Sequence, residues 1–256
     1  DALPVPGGQC AEIYPKKPIY DIPGYPEILA EDLIKNLLKQ IEPFNPGYTL
    51  GERAETVKKT DDDKFLVITN KGTHHIAPVV VIAGGLGCFE PRKPKIENLS
   101  SYEGKGVEYI IKDPTIYHDK KIVISGGGDS ALDWTIYFAK HAKKVTLVHR
   151  RSSFRGHIDS VEKISELAKD GKVNLITEAE VIKLKGKDNI DSISIKLSND
   201  NNIDIVTDYW FPLFGLTPKL GPISKWGLNL EKNAILVNNT DYCTNIEGIY
   251  AVGDIC

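Results

Sequence analysis

The sequence predicts an α/β protein of two domains, each carrying an antiparallel meander beside strands of a mainly parallel sheet. Three observations predict it. After residue 106, apolar strand-like runs alternate with helical ones, the order that lays strands parallel in one sheet. A run of three glycines, 126–128, stands between one such strand and the next helix. Upstream, the apolar run PVVVIAGG at 78–85 predicts a strand in the middle of a covered sheet. A length of 256 residues accommodates one large domain or two ordinary ones.

Each element has its own signal. Residues 25–42 place Ile28, Leu29, Leu33, Ile34, Leu37, Leu38 and Ile41 at helical spacing, which predicts an amphipathic helix with one buried stripe. Pro43 and Pro46-Gly47 end it. Residues 48–76 read as short strands, with Asp61-Asp62-Asp63 as a hairpin turn. Three adjacent carboxylates cannot all converge on one ion, so that run is no metal site. The polar, Pro- and Gly-rich stretch 90–106 is the best candidate for a domain crossing. Beyond it come a strand at 121–125, a helix at 129–142, a strand beginning at Lys144 and a helix at about 157–170. VNLIT and three further short strands follow to about 206, and a last short strand stops at Gly253-Asp254.

Composition excludes several classes. Net charge is −3, which gives no reason to expect nucleic acid as a partner. No apolar run approaches the roughly 20 residues needed to cross a bilayer. Cys10, Cys88, Cys243 and Cys256 make no C-x-x-C pair, so neither a zinc cluster nor a local redox disulfide is predicted, and a reducing, cytoplasmic setting fits. The six histidines are scattered at 74, 75, 118, 141, 149 and 157 and read as surface residues, with no metal-ligand spacing. No side chain presents itself as a general acid, base or nucleophile.

The glycine run carries the chemistry. Gly126, Gly128 and Ala131 form G-x-G-x-x-A between strand and helix. The first glycine permits the tight turn, the second lets a pyrophosphate approach the backbone, and the small third residue lets helix and strand pack closely. Asp129 and Ser130 open the helix, whose unpaired N–H groups favour an anion. Where an acid about 20 residues on would bind a free ribose hydroxyl, this chain has His149, Arg150 and Arg151, with Arg155 four residues further. Guanidinium forks suit a 2′-phosphate, so the site predicts NADP(H) rather than NAD(H). The run GGLGCF at 84–89 is not a second such turn, because Pro91 and Pro94 follow where a helix should begin. Its glycines let the backbone pass close to a ligand or a neighbouring strand. A nicotinamide enzyme with no evident acid–base residue invites a second cofactor such as flavin.

Joined together, these stretches resemble the thioredoxin-reductase-like ferredoxin–NADP reductases. DALPVPGGQCAEIYPKKPIYDIPGYP is similar to the end of the second strand of that family's FAD domain. VVVIAGGLGCFEPRK is similar to its later FAD-domain strand, and VISGGGDSALDW with VHRRSSFRGH to its NADPH motif and phosphate clamp. The final stretch from 220 resembles the return into the FAD domain. The resemblance implies a two-domain flavoprotein of the disulfide-reductase type, with a Rossmann-like NADPH domain at 109–240 inserted between FAD-domain segments at 1–108 and 241–256. It implies that the chain is an internal portion, with the FAD fingerprint before Asp1 and a tail after Cys256. By position, Asp1 would bind the adenosine ribose, Gln9 would face the flavin, and Tyr14 would stack on its ring. Ala54 would touch the adenine side through its backbone, Phe89 would lie near the flavin, and Asp254 would bond the ribityl or pyrophosphate part. Leu86 departs from the family, which has Asn or Ser there. Thioredoxin reductases carry C-x-x-C upstream of the NADPH motif, whereas 106–121 here contains no cysteine. The resemblance therefore implies one-electron transfer to ferredoxin or flavodoxin by a homodimer. An NADPH-dependent flavin, quinone or disulfide reductase, and a non-catalytic NADP(H)-binding module, stay open at this point.

Overall fold

The computed structural model describes residues 1–85, 87, 90–217 and 219–256. In chain order the principal elements are α1 (Gly8–Glu12), α2 (Ala30–Ile41), β1 (Ala54–Lys59), β2 (Phe65–Thr69), β3 (His74–Ala77), β4 (Val80–Ile82), β5 (Lys121–Ser125), α3 (Asp129–His141), β6 (Lys144–Val148), α4 (Ile158–Lys169), β7 (Val173–Ile176), β8 (Ala179–Lys185), β9 (Ser192–Leu197), β10 (Asn202–Val206), β11 (Tyr209–Pro212) and β12 (Ile249–Ala251). Two units emerge, one of Asp1–Glu90 with Leu216–Cys256, the other of Pro91–Gly215. Among the described residues no helix is long and apolar enough to cross a membrane.

The Pro91–Gly215 unit is built on four parallel strands in the order β7-β6-β5-β11. Period-two alternation sends neighbouring residues to opposite faces. Val123 and its partner Trp210 join Val148, Ile193 and Ile195 in a buried cluster with the meander β8-β9-β10. Ile124 pairs with Phe211, and Phe211 stacks on Phe138 of α3 at 6.0 Å. Both faces are covered, which is why β5 reads as an unbroken apolar run. Buried Trp210 donates its indole N–H to Ser125 Oγ at 2.8 Å, tying β11 to the end of β5.

The other unit contains the meander β1-β2-β3 and the parallel pair β4-β12. The Asp61–Asp63 turn joins β1 to β2 as expected, with Asp63 left-handed at φ 59°. Phe65, Ile82, Leu220, Leu228, Ile235, Ile249, Ala251 and Ile255 form its core.

Two expectations are corrected. The helix begins at Ala30, because Ile28–Leu29 are extended, and its apolar stripe is only partly covered: Leu37 is 46% and Ile41 40% exposed. The strand in 78–85 pairs with β12 alone among the described residues, and Val81 is 59% exposed, so it is not mid-sheet in a covered layer. By packing the chain divides into units at Glu90/Pro91 and Gly215/Leu216. Leu99 and Val107 belong to the core of the inserted unit, and Gly106 O accepts from Trp210 N at 2.7 Å. Leu220, Leu228 and Ile235 belong to the other core, and Trp226 Nε1 donates to Glu55 O at 2.9 Å.

Candidate functional site

The turn after β5 is shaped by what glycine lacks. A Cβ on Gly126 would stand 2.6 Å from Leu213 O and 2.7 Å from Ala131 Cβ. That explains both the glycine and the small residue at 131. A Cβ on Gly128 would meet nothing within 4 Å, so the backbone faces open space there. Gly128 supplies no side-chain cap to α3, which leaves first-turn N–H groups, including those of Asp129 and Ser130, for an anion. The residues present thus fit a pyrophosphate.

Gly127, which the sequence reasoning passed over, is equally constrained. A Cβ there would overlap the imidazole of His149. Three consecutive glycines, where the motif needs two, were the available signal. His149 is 7% exposed, its Nε2 lies 3.0 Å from Ser153 O, and its ring stacks on Phe154 at 4.8 Å. Burial pushes its pKa down, the charges of Arg150, Arg151 and Arg155 add to that, and the Ser153 carbonyl opposes it. His149 is therefore neither a surface histidine nor an open arm toward solvent; it is packed beneath the loop that follows β6.

That loop bends back onto the glycine turn. Gly127 O accepts from Arg155 N at 2.7 Å and from Gly156 N at 3.2 Å. Asp129 Oδ1 accepts from His157 N at 2.7 Å. Arg150, Arg151 and Arg155 are exposed, and among the described residues none forms an ion pair. The structure thus brings Gly126, Gly128, Asp129, Ser130 and Ala131 together with the loop that carries the arginines.

In the other unit, the remaining predicted residues fall into two groups. Asp1 Oδ1 accepts from Leu3 N at 3.0 Å, and Asp1 O accepts from Glu52 N at 3.0 Å, two residues before Ala54 opens β1. Gln9 lies in α1, with Nε2 3.7 Å from where a Gly85 Cβ would stand. Nearby, the Tyr14 phenol is pushed up to about 12, mainly by burial, then by the Cys10 thiol and the Asp254 carboxylate. Lys17 Nζ lies 5.8 Å over one face of the Tyr14 ring. Gln9 thus lies beside both Gly85 and Tyr14, and Asp254 is close enough to act on the Tyr14 phenol, a mix of aromatic, amide and carboxylate groups that fits a flavin. Gly87 is explained by a neighbouring strand, since a Cβ there would overlap Lys219 O. Phe89 lies outside the described residues, as do Leu86 and Cys88. No group of three His, Cys, Asp or Glu able to hold a metal occurs among the described residues.

Comparison with known proteins places this geometry. A family model described as pyridine nucleotide-disulphide oxidoreductase matches residues 6–256. Ferredoxin–NADP reductase 1 of Christiangramia forsetii is 63% identical, over 100% of this chain and 73% of its own length. The ferredoxin–NADP reductase of Pelagibacter ubique is 49% identical, over 100% of this chain and 75% of its own. Among solved structures, T. acidophilum thioredoxin reductase aligns with a TM-score of 0.84 at 25% identity, over 100% of this chain and 80% of its own. Lactococcus lactis thioredoxin reductase gives 0.82 at 26%, over 98% and 80%. The fold is therefore that of the thioredoxin-reductase-like two-domain flavoproteins. This chain belongs to the pyridine nucleotide-disulphide oxidoreductase family and, within it, to the ferredoxin–NADP reductases.

Proposed function

We propose that the chain transfers electrons between NADPH and ferredoxin or flavodoxin, with FAD as its resident cofactor. The observation that carries the reading is a phosphate turn bonded to a loop of three arginines that form no ion pair among the described residues, in a sequence without a C-x-x-C dithiol. FAD, when bound, supplies the exchange between a two-electron donor and one-electron acceptors.

The protein's own residues bind and orient. Gly126, Gly128 and Ala131 shape the turn, and the first-turn N–H groups of α3 hold the pyrophosphate. Arg150, Arg151 and Arg155 pair the 2′-phosphate through charge-assisted bonds. In the other unit, Asp1 bonds the adenosine ribose and the Ala54 backbone meets the adenine. Gln9 and Tyr14 hold the ring, and Asp254 bonds the ribityl or pyrophosphate part. No side chain is assigned a proton-transfer role. The same reading includes a homodimer working in the cytoplasm.

The test is cytochrome c reduction by the FAD-loaded protein with NADPH, with and without ferredoxin. We expect reduction that depends on ferredoxin. Activity of equal rate in its absence would instead support a flavin or quinone reductase, and a protein that takes up no flavin would refute both.

A further inference from the structure

Asp129 poses a physical question. The start of a helix favours anions, and a carboxylate placed there competes with a bound pyrophosphate and repels it. The structure gives this carboxylate a different partner. Asp129 Oδ1 accepts from His157 N at 2.7 Å, just beyond the far end of the arginine loop. The approach is close because residue 156 is glycine: a Cβ there would stand 2.5 Å from Leu132 Cδ1 and 3.2 Å from Asp129 Oδ1. Gly127 O takes the N–H groups of Arg155 and Gly156 alongside. Within the same span, Phe154 stacks on His149, which itself fills the space over Gly127. The arginine loop is thus fastened to the phosphate turn by its backbone bonds to Gly127 O and by two side-chain links, His149–Phe154 and Asp129–His157.

We propose that the side chain of Asp129 is a positioning group that latches the arginine loop onto the phosphate turn, and thereby sets the preference for a 2′-phosphorylated dinucleotide without itself contacting the 2′-phosphate. The inference rests on the assignment of Arg150, Arg151 and Arg155 as the 2′-phosphate clamp. A latched loop has its backbone ordered before the ligand arrives. An unlatched one must be ordered at the moment of binding, and affinity falls accordingly. Because the latch acts on the arginines, the loss falls on ligands that carry the 2′-phosphate.

The test uses the FAD-loaded protein and three variants, Asp129→Ala, Asp129→Asn and Phe154→Ala. Binding of 2′,5′-ADP is measured by calorimetry, with 5′-AMP as the ligand lacking the 2′-phosphate, and KM is measured for NADPH and NADH. Asp129→Ala should weaken 2′,5′-ADP and NADPH about tenfold, as loss of one charge-assisted backbone bond implies, and NADH less than about twofold. Asp129→Asn keeps an acceptor for His157 N and should restore the NADPH preference. Phe154→Ala removes the other side-chain link, leaves Asp129 in place and should give the same selective loss; it carries the test if Asp129→Ala does not fold. Unchanged 2′,5′-ADP affinity in a folded Asp129→Ala overturns the proposal, as does equal weakening of NADPH and NADH. So does tighter NADPH binding in Asp129→Asn, the signature of a charge that merely repels phosphate. Arg150→Ala separates the two levels: if it leaves the NADPH preference intact, the clamp assignment itself has failed.

Discussion

Arg150 and Arg151 stand at the end of β6 with no carboxylate paired to either among the described residues. Guanidiniums without an ion pair, on a loop that bends back onto the phosphate turn, are unsatisfied charge, and under the proposed assignment a 2′-phosphate satisfies it. Replacing both by Ala should weaken NADPH by about 3 kcal/mol and NADH much less, read as dissociation constants from fluorescence titration. An equal loss for both nucleotides would show that the arginines act on something other than the 2′-phosphate. Tyr14 gives a prediction of another kind. Its phenol is pushed up to about 12 by burial, with Cys10 and Asp254 adding to that, whereas a tyrosine in an unfolded chain ionises near 10. Between those values the folded chain binds more protons than the unfolded one, so this contribution is fully present below pH ~10 and is lost as pH rises through about 12. Urea unfolding of the wild type and of Tyr14→Phe across that window should differ in slope. Parallel curves would place the phenol in water.

At the scale of elements, the phosphate turn depends on where β5 ends, and β11 helps to hold that end. Trp210 buries its indole N–H against Ser125 Oγ, one residue before Gly126. Ser125→Ala leaves that donor buried without a partner, which costs about 1–3 kcal/mol. Urea unfolding should show that loss, and Ser125→Thr, which keeps a hydroxyl, should recover part of it. The strand, the turn and the helix here were legible in the sequence because each rests on local rules: an apolar run, glycines, then helical periodicity from Asp129. Gly127 and His149 were not, because their constraint is a contact between segments more than 20 residues apart in sequence. The stripe on α2 misled for a related reason. Periodicity tells which residues share a face, as Leu37 and Ile41 do, but not what covers that face. Leu99, in the segment 90–106 that read as a domain crossing, and Val107 just beyond it insert into a core that only the fold assembles.

At the scale of the whole molecule, the two units differ in how the chain builds them. One is assembled from Asp1–Glu90 and Leu216–Cys256, and its core mixes Phe65 and Ile82 with Leu220 and Ile249. Neither segment closes that core without the other. The inserted unit is one continuous stretch, Pro91–Gly215, and its cluster runs from Leu99 to Trp210 without drawing on a residue outside it. Its four-stranded parallel sheet, meander and two helices lie within the same stretch, as do the phosphate turn and all three arginines. A domain with its own core can fold alone. The fragment 91–215 should therefore unfold cooperatively when followed by circular dichroism. It should bind 2′,5′-ADP within about threefold of the whole protein, a difference under 1 kcal/mol, since the assigned phosphate contacts lie within it. It should take up no FAD, because Asp1, Gln9, Tyr14, Ala54 and Asp254 all belong to the other unit. A fragment that folds but fails to bind 2′,5′-ADP would mean that the nucleotide site draws on residues outside the inserted unit, and would move the search for the missing contacts there.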